Sequence, residues 1–449
     1  MDLFDKYNHP VPRYTSYPTV PHWQTEPPTE QEWIASIGKR LRKSPELSLY
    51  VHLPFCEELC TYCGCNKRIT KNHGVEVPYV DTVLAEWKIY ERSMLIKPLL
   101  KELHLGGGTP TFFSPTELKR LVQGILKRVD LADGAEMSFE AHPNSTTKAH
   151  LEVLAELGFN RLSIGVQDFN PHIMRLINRR QTEEDIQRTV IEAQAIGYRS
   201  INFDIIYGLP DQSVADIEYS VAKIAELRPE RIAFYGYAHV PWVSPGQRAY
   251  SKANLPQGRD KWKLYETGKK GLEAMGYRDI GLDHFALPED DLYLASREQR
   301  LHRNFMGYTT NTSKLSIGLG CSAISDSWNM YVQNEKKVED YQRIVMEESR
   351  LPLLKGHRLK RDEEIVRRHI SNLMCLQTTV WAGEEMHCQS LPFALENWAD
   401  MEKDGLVKRG ANSLSVTPLG KTFLRNVCVP LDSHMQRMNA GRPTFSRAV

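Results

Sequence analysis

Six short β-rich apolar runs alternate with longer amphipathic stretches through the first half of the chain, and this alternation leaves few folds open. The candidate strands are 48–53, 102–105, 136–141, 161–165, 200–206 and 231–237. Helical patterns fall between them near 78–94, 115–128, 147–157, 182–196 and 214–227. Strands alternating with helices predict right-handed βαβ units around a parallel sheet. Several of the runs read as fully buried, which predicts an open sheet or a partial (β/α)6 barrel. A closed eight-stranded barrel would need more strands than the pattern supplies.

The polar and unusual residues gather where these strands end. Cysteines follow Leu53, glycines follow Leu105, and Glu140, His142, Gln167, Asp168, Asp204, Tyr237 and His239 occupy matching places. Active sites on parallel α/β sheets form at those C-terminal ends. Beyond about residue 355 the texture changes to charged amphipathic helices near 362–377 and 394–403. A short hairpin and a helix from Thr417 to about Val427 follow, a pattern that resembles a winged-helix module. Without a basic recognition face it is not read as DNA-binding. The expected organisation is an irregular arm and first helix over 1–45, the partial barrel over 46–290, a barrel extension carrying part of the substrate site over 291–354, and a mainly helical domain over 355–449.

With 57 Lys and Arg against 56 Asp and Glu, no whole-chain field points to nucleic acid or an anionic membrane. No apolar stretch approaches the roughly 18–20 residues of a bilayer span, and the N-terminus lacks a signal-peptide pattern. The expected setting is therefore the reducing cytoplasm, where cysteines serve as ligands or reactive groups.

Of eight cysteines, four lie between positions 56 and 65. Cys56, Cys60 and Cys63 form a C-x3-C-x2-C run directly after a strand, and three thiolates on one tight loop can each ligate an iron of a cubane cluster. The fourth iron is then open to a small molecule. Structural zinc normally needs two C-x2-C pairs, and ferredoxin loops need a fourth cysteine at a different spacing. Zinc or unligated thiols are the remaining alternatives. Cys65 could serve as a fourth ligand only across a one-residue gap, and it is not read as one. His52 is read as structural or as support to the loop, with a substrate or proton role as the alternative.

The cysteine spacing resembles that of the radical S-adenosylmethionine (SAM) enzymes, and Gly106–Gly107–Gly108–Thr109–Pro110 looks like their glycine motif. Further blocks narrow the resemblance: Arg13–Tyr14–Thr15–Ser16–Tyr17–Pro18–Thr19, Cys63–Gly64–Cys65–Asn66–Lys67, Phe159–Asn160–Arg161–Leu162–Ser163, Gly165–Val166–Gln167–Asp168–Phe169 and Asp204 to Pro210. Tyr237–Ala238–His239, Asp283–His284–Phe285–Ala286, Leu301 to Phe305 with Gly307–Tyr308, and the tail Phe445–Ser446–Arg447 continue it. Essentially end to end, the chain resembles the oxygen-independent coproporphyrinogen III oxidase family of haem and porphyrin biosynthesis.

The resemblance implies a [4Fe-4S] cluster on Cys56, Cys60 and Cys63. It implies SAM chelating the open iron, and a 5′-deoxyadenosyl radical that starts the decarboxylation of two propionates of coproporphyrinogen III to vinyl groups. It places Tyr50, Tyr62, Gly107, Gly108, Thr109, Glu140, Gln167, Arg179, Asp204, Ala238, Phe305 and Met306 around SAM, with Cys65 and Tyr50 as catalytic candidates. It also implies a monomer served by an electron donor such as flavodoxin or ferredoxin. Three positions depart from the family pattern. Met306 stands where Gln is usual at a position associated with a second SAM, and Met cannot make the amide's hydrogen bonds. Ala141–His142 replaces Val–Asp, and Leu105 replaces Trp. The rival from another class is a haem-binding chaperone of the same superfamily. Those relatives lack the Arg–Tyr–Thr–Ser–Tyr–Pro arm and the Cys–Gly–Cys step, and this chain has both.

Overall fold

The computed structural model describes residues 2–24, 26–242, 244–437 and 445, so Ser446 and Arg447 of the tail motif lie outside the described residues. The chain divides into two compact units.

The larger unit comprises Gln24–Met275 and Ser313–Arg358. It starts with α1 (Glu30–Leu41), whose Thr29 and Glu32 form a reciprocal cap. Six strands follow where the apolar runs predict them: β1 (Glu46–Leu53), β2 (Leu99–Gly107), β3 (Asp130–Ala141), β4 (Arg161–Gln167), β5 (Ser200–Tyr207) and β6 (Arg231–Gly236). They are joined through α2 (Glu76–Ser93), α3 (Pro115–Leu126), α4 (Lys148–Glu156), α5 (Glu183–Ile196) and α6 (Val214–Leu227), and α7 (Gly258–Ala274) comes after β6. The strands lie side by side in sequence order and all pair in parallel. With crossovers of one hand, an order that never reverses keeps every helix on one face, as in a barrel wall.

β3 starts six residues earlier than its apolar run. Residues 130–135 are mostly exposed and include Gly134 at φ 67°, so no buried alternation marks them. Four more strands have no counterpart in the sequence reading. β7 (Ser316–Leu319) pairs in parallel with the outer side of β1, and β8 (Ile324–Asp326), β9 (Met330–Asn334) and β10 (Leu353–Arg358) continue antiparallel, with α8 (Val338–Met346) between the last two. Strands of three to six residues are too short for a periodic signal. Their pairing makes β1 a central strand, and Leu47, Leu49, Val51 and Leu53 are wholly buried with Ser48 and His52 nearly so. Each fully buried aliphatic side chain contributes about 1.5–3 kcal/mol, so the strand that leads into the cysteine loop is firmly seated.

The smaller unit gathers Met1–Trp23, Gly276–Thr312 and Leu359–Val449. Helices Arg361–Leu376 and Leu391–Lys403 pack beside a three-stranded antiparallel sheet, with Trp381 stacked on Trp398 in the core. These divisions fall elsewhere than the composition shift suggests, for contact reasons. The Trp33 indole of α1 donates to the Tyr90 hydroxyl of α2 at 3.1 Å, which places the first helix with the sheet. The arm instead belongs with the C-terminal segment, because Asn426 and Arg425 donate to the Tyr7 and Val11 carbonyls.

Candidate active site

β1 delivers the chain to a loop that carries all four clustered cysteines. Phe55–Cys56 pairs with Arg68–Ile69, which closes the loop on itself. The Thr61 amide donates to the Ile177 carbonyl and Asn178 to the Leu59 carbonyl, tying the loop to the segment after β4. The loop opens onto a cavity of about 490 Å³ at the C-terminal ends of the strands. Cys56, Cys60, Tyr62, Cys63, Cys65, Gly107, Gly108, Thr109, Glu140, Gln167, Arg179 and Asp204 all line it.

Among the described residues, no three His, Cys, Asp or Glu side chains converge on one point as a single metal ion would need. A cubane makes a different demand, since each thiolate takes its own iron. The donor set fits that demand: the thiols are unpaired, and each meets a hydrogen bond that suits a thiolate. Thr109 Oγ1 donates to Cys56 Sγ at 3.4 Å and Arg179 Nη1 approaches Cys60 Sγ at 3.6 Å. The Cys65 thiol donates to Cys63 and, helped by the Lys67 ammonium, outweighs burial to bring Cys63 down to about 6. Burial pushes Cys56 up to about 11. Cys65 is raised by the same hydrogen bond to Cys63, so its position supports a ligand rather than adding a fourth.

Arg179 is buried and braced on every side. Nε donates to Gln181 Oε1 at 2.7 Å, Nη2 to the Gly165 carbonyl, and Nη1 to Tyr62 at 3.4 Å. Burial disfavours the guanidinium, but Tyr62 and Cys60 more than restore it. Between Gly165 and Gln167 the β4–β5 register shifts, a bulge that puts Gln167 at φ 71°. A Cβ on Gly165 would stand 2.8 Å from both Arg179 Nη2 and the Gln167 amide. Only glycine lets both polar groups crowd the strand end.

Two carboxyl groups share the cavity with this cation. Glu140 Oε2 accepts from the Gly107 amide at 3.1 Å, and Oε1 lies 3.6 Å from His104 Nε2. Burial acts against ionisation, yet His104 and the Gly107 amide outweigh it and hold Glu140 below the usual range. Asp204 accepts from Asn202 and Ser163, but burial and the Glu140 charge push it up to about 7.

Four predicted residues stand apart from the cavity lining. Tyr50 hydrogen-bonds His52 Nδ1 at 3.0 Å while His52 Nε2 donates to the Asn66 carbonyl of the cysteine loop at 2.9 Å, so the pair braces the loop from behind. Ala238 follows β6 and its carbonyl accepts from Gln247. Phe305 and Met306 belong to the smaller unit. Sequence reasoning missed Lys67, Ser163, Asn178 and Arg180 in the lining, along with Gln181 and His104 behind it. Lys67 and Ser163 fall within quoted motifs and could have been found there; Gln181 and His104 carry no local signal.

The radical SAM superfamily model matches residues 50–224. Over the whole chain, the oxygen-independent coproporphyrinogen III oxidases of Escherichia coli and Pseudomonas aeruginosa are 38% and 36% identical, each with 98% of its own length aligned. A solved coproporphyrinogen III oxidase from Escherichia coli, described as a radical SAM enzyme, superposes with a TM-score of 0.88. It is 36% identical, and the match covers 94% of this chain and 97% of that one. Fold and cysteine loop thus define a radical SAM protein. Within that superfamily, the chain belongs to the oxygen-independent coproporphyrinogen III oxidase family.

Proposed function

We propose that this chain catalyses the oxygen-independent oxidative decarboxylation of two propionates of coproporphyrinogen III to vinyl groups, giving protoporphyrinogen IX. The observation that carries the reading is the three-cysteine loop opening onto a cavity whose Arg179, Glu140 and Asp204 suit an amino-acid ligand. Full-length likeness to enzymes of that name supports the substrate. Each propionate loses a hydrogen atom, carbon dioxide and one electron, and a double bond forms in its place.

When bound, the cluster and SAM supply the carbon radical that takes the hydrogen atom. Cys56, Cys60 and Cys63 would hold the cluster. Arg179 donates to sulfur and lowers the charge that the loop must carry. Glu140, held ionised, meets the ligand's ammonium, and Gly107 and Gly108 stand in the cavity wall beside it. Asp204, poised near neutrality, and Gln167, aimed by the bulge, offer hydrogen bonds to ribose hydroxyls and amide-seeking groups. Tyr62 accepts from Arg179, Thr109 steadies Cys56, and Ala238 follows β6 at the strand end. Tyr50 positions His52, and Cys65 supports Cys63 on the substrate side. In this reading the electron comes from a carrier of flavodoxin or ferredoxin type.

The test combines reduced protein, SAM and coproporphyrinogen III without oxygen and follows protoporphyrinogen and 5′-deoxyadenosine. Both products are expected, and Cys60→Ala is expected to abolish them together with the cluster spectrum. Tight haem binding with no decarboxylation would overturn the proposal in favour of a haem carrier.

A further inference from the structure

Three motifs far apart in the sequence meet inside the smaller unit. Arg13 Nη2 donates to Asp283 Oδ2 at 2.6 Å. Asp283 sits at φ 70° and Leu282 before it at φ 37°, a conformation that a leucine keeps only where its surroundings dictate it. The turn brings in His284, which donates from Nδ1 to the Leu282 carbonyl at 2.8 Å and stands edge-on to Tyr308 at 5.3 Å. The guanidinium of Arg303 lies over the same Tyr308 ring at 4.8 Å. Burial, with the charge of Arg303, brings His284 down to about 4, so it stays neutral beside the cation.

Arg303 differs from Arg13 in one respect. Its Nε and Nη1 are buried and have no hydrogen-bond partner among the described residues, while the residue as a whole is half-buried. A guanidinium with idle donors out of water is costly, and a ring contact offsets only part of that cost. Such a group calls for an explanation. The neighbouring histidine is kept uncharged and the neighbouring carboxylate is already taken by Arg13, so among the described residues Arg303 forms no ion pair.

We propose that Arg303 anchors a carboxylate subsite, its half-buried guanidinium taking a ligand carboxylate in the forked manner that guanidinium favours. Resting on the function proposed above, the carboxylate is a propionate of the tetrapyrrole. An amino-acid carboxylate carries the same chemistry and is the other source to separate.

The probes are coproporphyrin III (the air-stable oxidised form of the substrate), its methyl ester, and SAM, each titrated into wild-type and Arg303→Met protein. Coproporphyrin III is expected to bind the variant at least about tenfold more weakly, roughly 1.4 kcal/mol, with the ester equal on both. The ligand-free variant should melt no lower than wild type, because the side chain removed is a half-buried charge with two idle buried donors. Equal coproporphyrin affinity overturns the proposal, and a loss confined to SAM overturns the tetrapyrrole assignment. If Arg303→Met melts lower, Arg303→Lys replaces it, keeping the charge but not the fork. Several-fold weaker coproporphyrin binding then sustains the subsite and equal binding overturns it. Wild-type turnover with an unchanged variant sinks this inference alone; an inactive wild type sinks the proposed function as well.

Discussion

Gly108 is where the glycine motif and the cysteine loop come closest, and alanine there should cost the protein its cluster. The Gly108 amide donates to the Leu53 carbonyl at 2.8 Å and the Thr109 amide to the Phe55 carbonyl at 3.0 Å, so two backbones run side by side up to Cys56. A Cβ on Gly108 would stand 2.6 Å from the carbonyl carbon and oxygen of Pro54 and 2.8 Å from the Phe55 oxygen. Ordinary contact begins near 3.4 Å, so the chains must part by about 0.8 Å (3.4 − 2.6). All three obstacles are backbone, and none can rotate away.

Overpacking of this kind costs about 1–3 kcal/mol, and weakening the two hydrogen bonds adds about 1 kcal/mol. The strain falls two residues before Cys56 and also draws Thr109 from its sulfur. Anaerobically reconstituted Gly108→Ala should therefore hold far less iron and sulfide and lose its charge-transfer absorbance at least tenfold faster to a chelator. Gly124→Ala is the control. Its Cβ would meet Leu84 Cδ2 at 2.5 Å, but that is the free end of a side chain on another helix, so iron content should be normal. Wild-type iron content and chelator resistance in Gly108→Ala would refute the claim that this contact fixes the loop.

Two further outcomes follow from buried carboxyl groups. Burial pushes Glu86 up from 4.5 to about 7, although it accepts from the Gly320 amide, Tyr341 and Asn334. Its protonated form is favoured in the folded state, so this stabilisation is full below pH 4.5 and is lost as pH rises through about 7, by up to about 3 kcal/mol. Glu86→Gln removes that portion of the slope, so melting temperatures of the two proteins should diverge between pH 5 and 8; parallel curves would refute the shift. His104→Phe preserves the ring stacked on Tyr50 at 5.9 Å while removing the imidazole contacts to Ser138 and to Glu140 Oε1. SAM affinity is expected to fall about three- to tenfold, roughly 1 kcal/mol, at normal iron content. An unchanged SAM titration would show that Glu140 is oriented without His104.

The sequence made part of this site legible because part of it is local. The spacing of Cys56, Cys60 and Cys63 is a property of one loop, and strand ends mark where Glu140, Gln167 and Asp204 stand. What escaped depends on neighbours distant in the chain. Gln181 looks like any glutamine before a helix until the fold sets it against Arg179 and the Val166 carbonyl. His104 reads as the polar position of an alternating strand, and only the β2–β3 register, His104 opposite Ser138, gives it a partner. β7 to β10 are too short to show a period, and they matter because β7 covers the strand that carries the cysteines. The smaller unit is assembled from three separated segments, so no composition boundary could outline it.

The charges around the cavity act together. Arg179 is a fixed cation, braced by the Gly165 carbonyl and Gln181, and Glu140 is a fixed anion, held by His104 and the Gly107 amide. A second ionised carboxylate beside Glu140 would add repulsion in a desolvated place, and Asp204 accordingly holds its proton up to about 7. Two carboxyl groups in one cavity are thereby driven to different states, a separation that assigns them different partners. One fixed charge of each sign suits a ligand that carries both, as an amino acid does, and a carboxyl poised near neutrality suits hydroxyls, which donate and accept. The cavity's polarity thus fits the two ends of SAM without using the cysteines, and the cysteines fit a cluster without using the carboxyls. The loop and the strand ends arrive at the same cofactor pair independently.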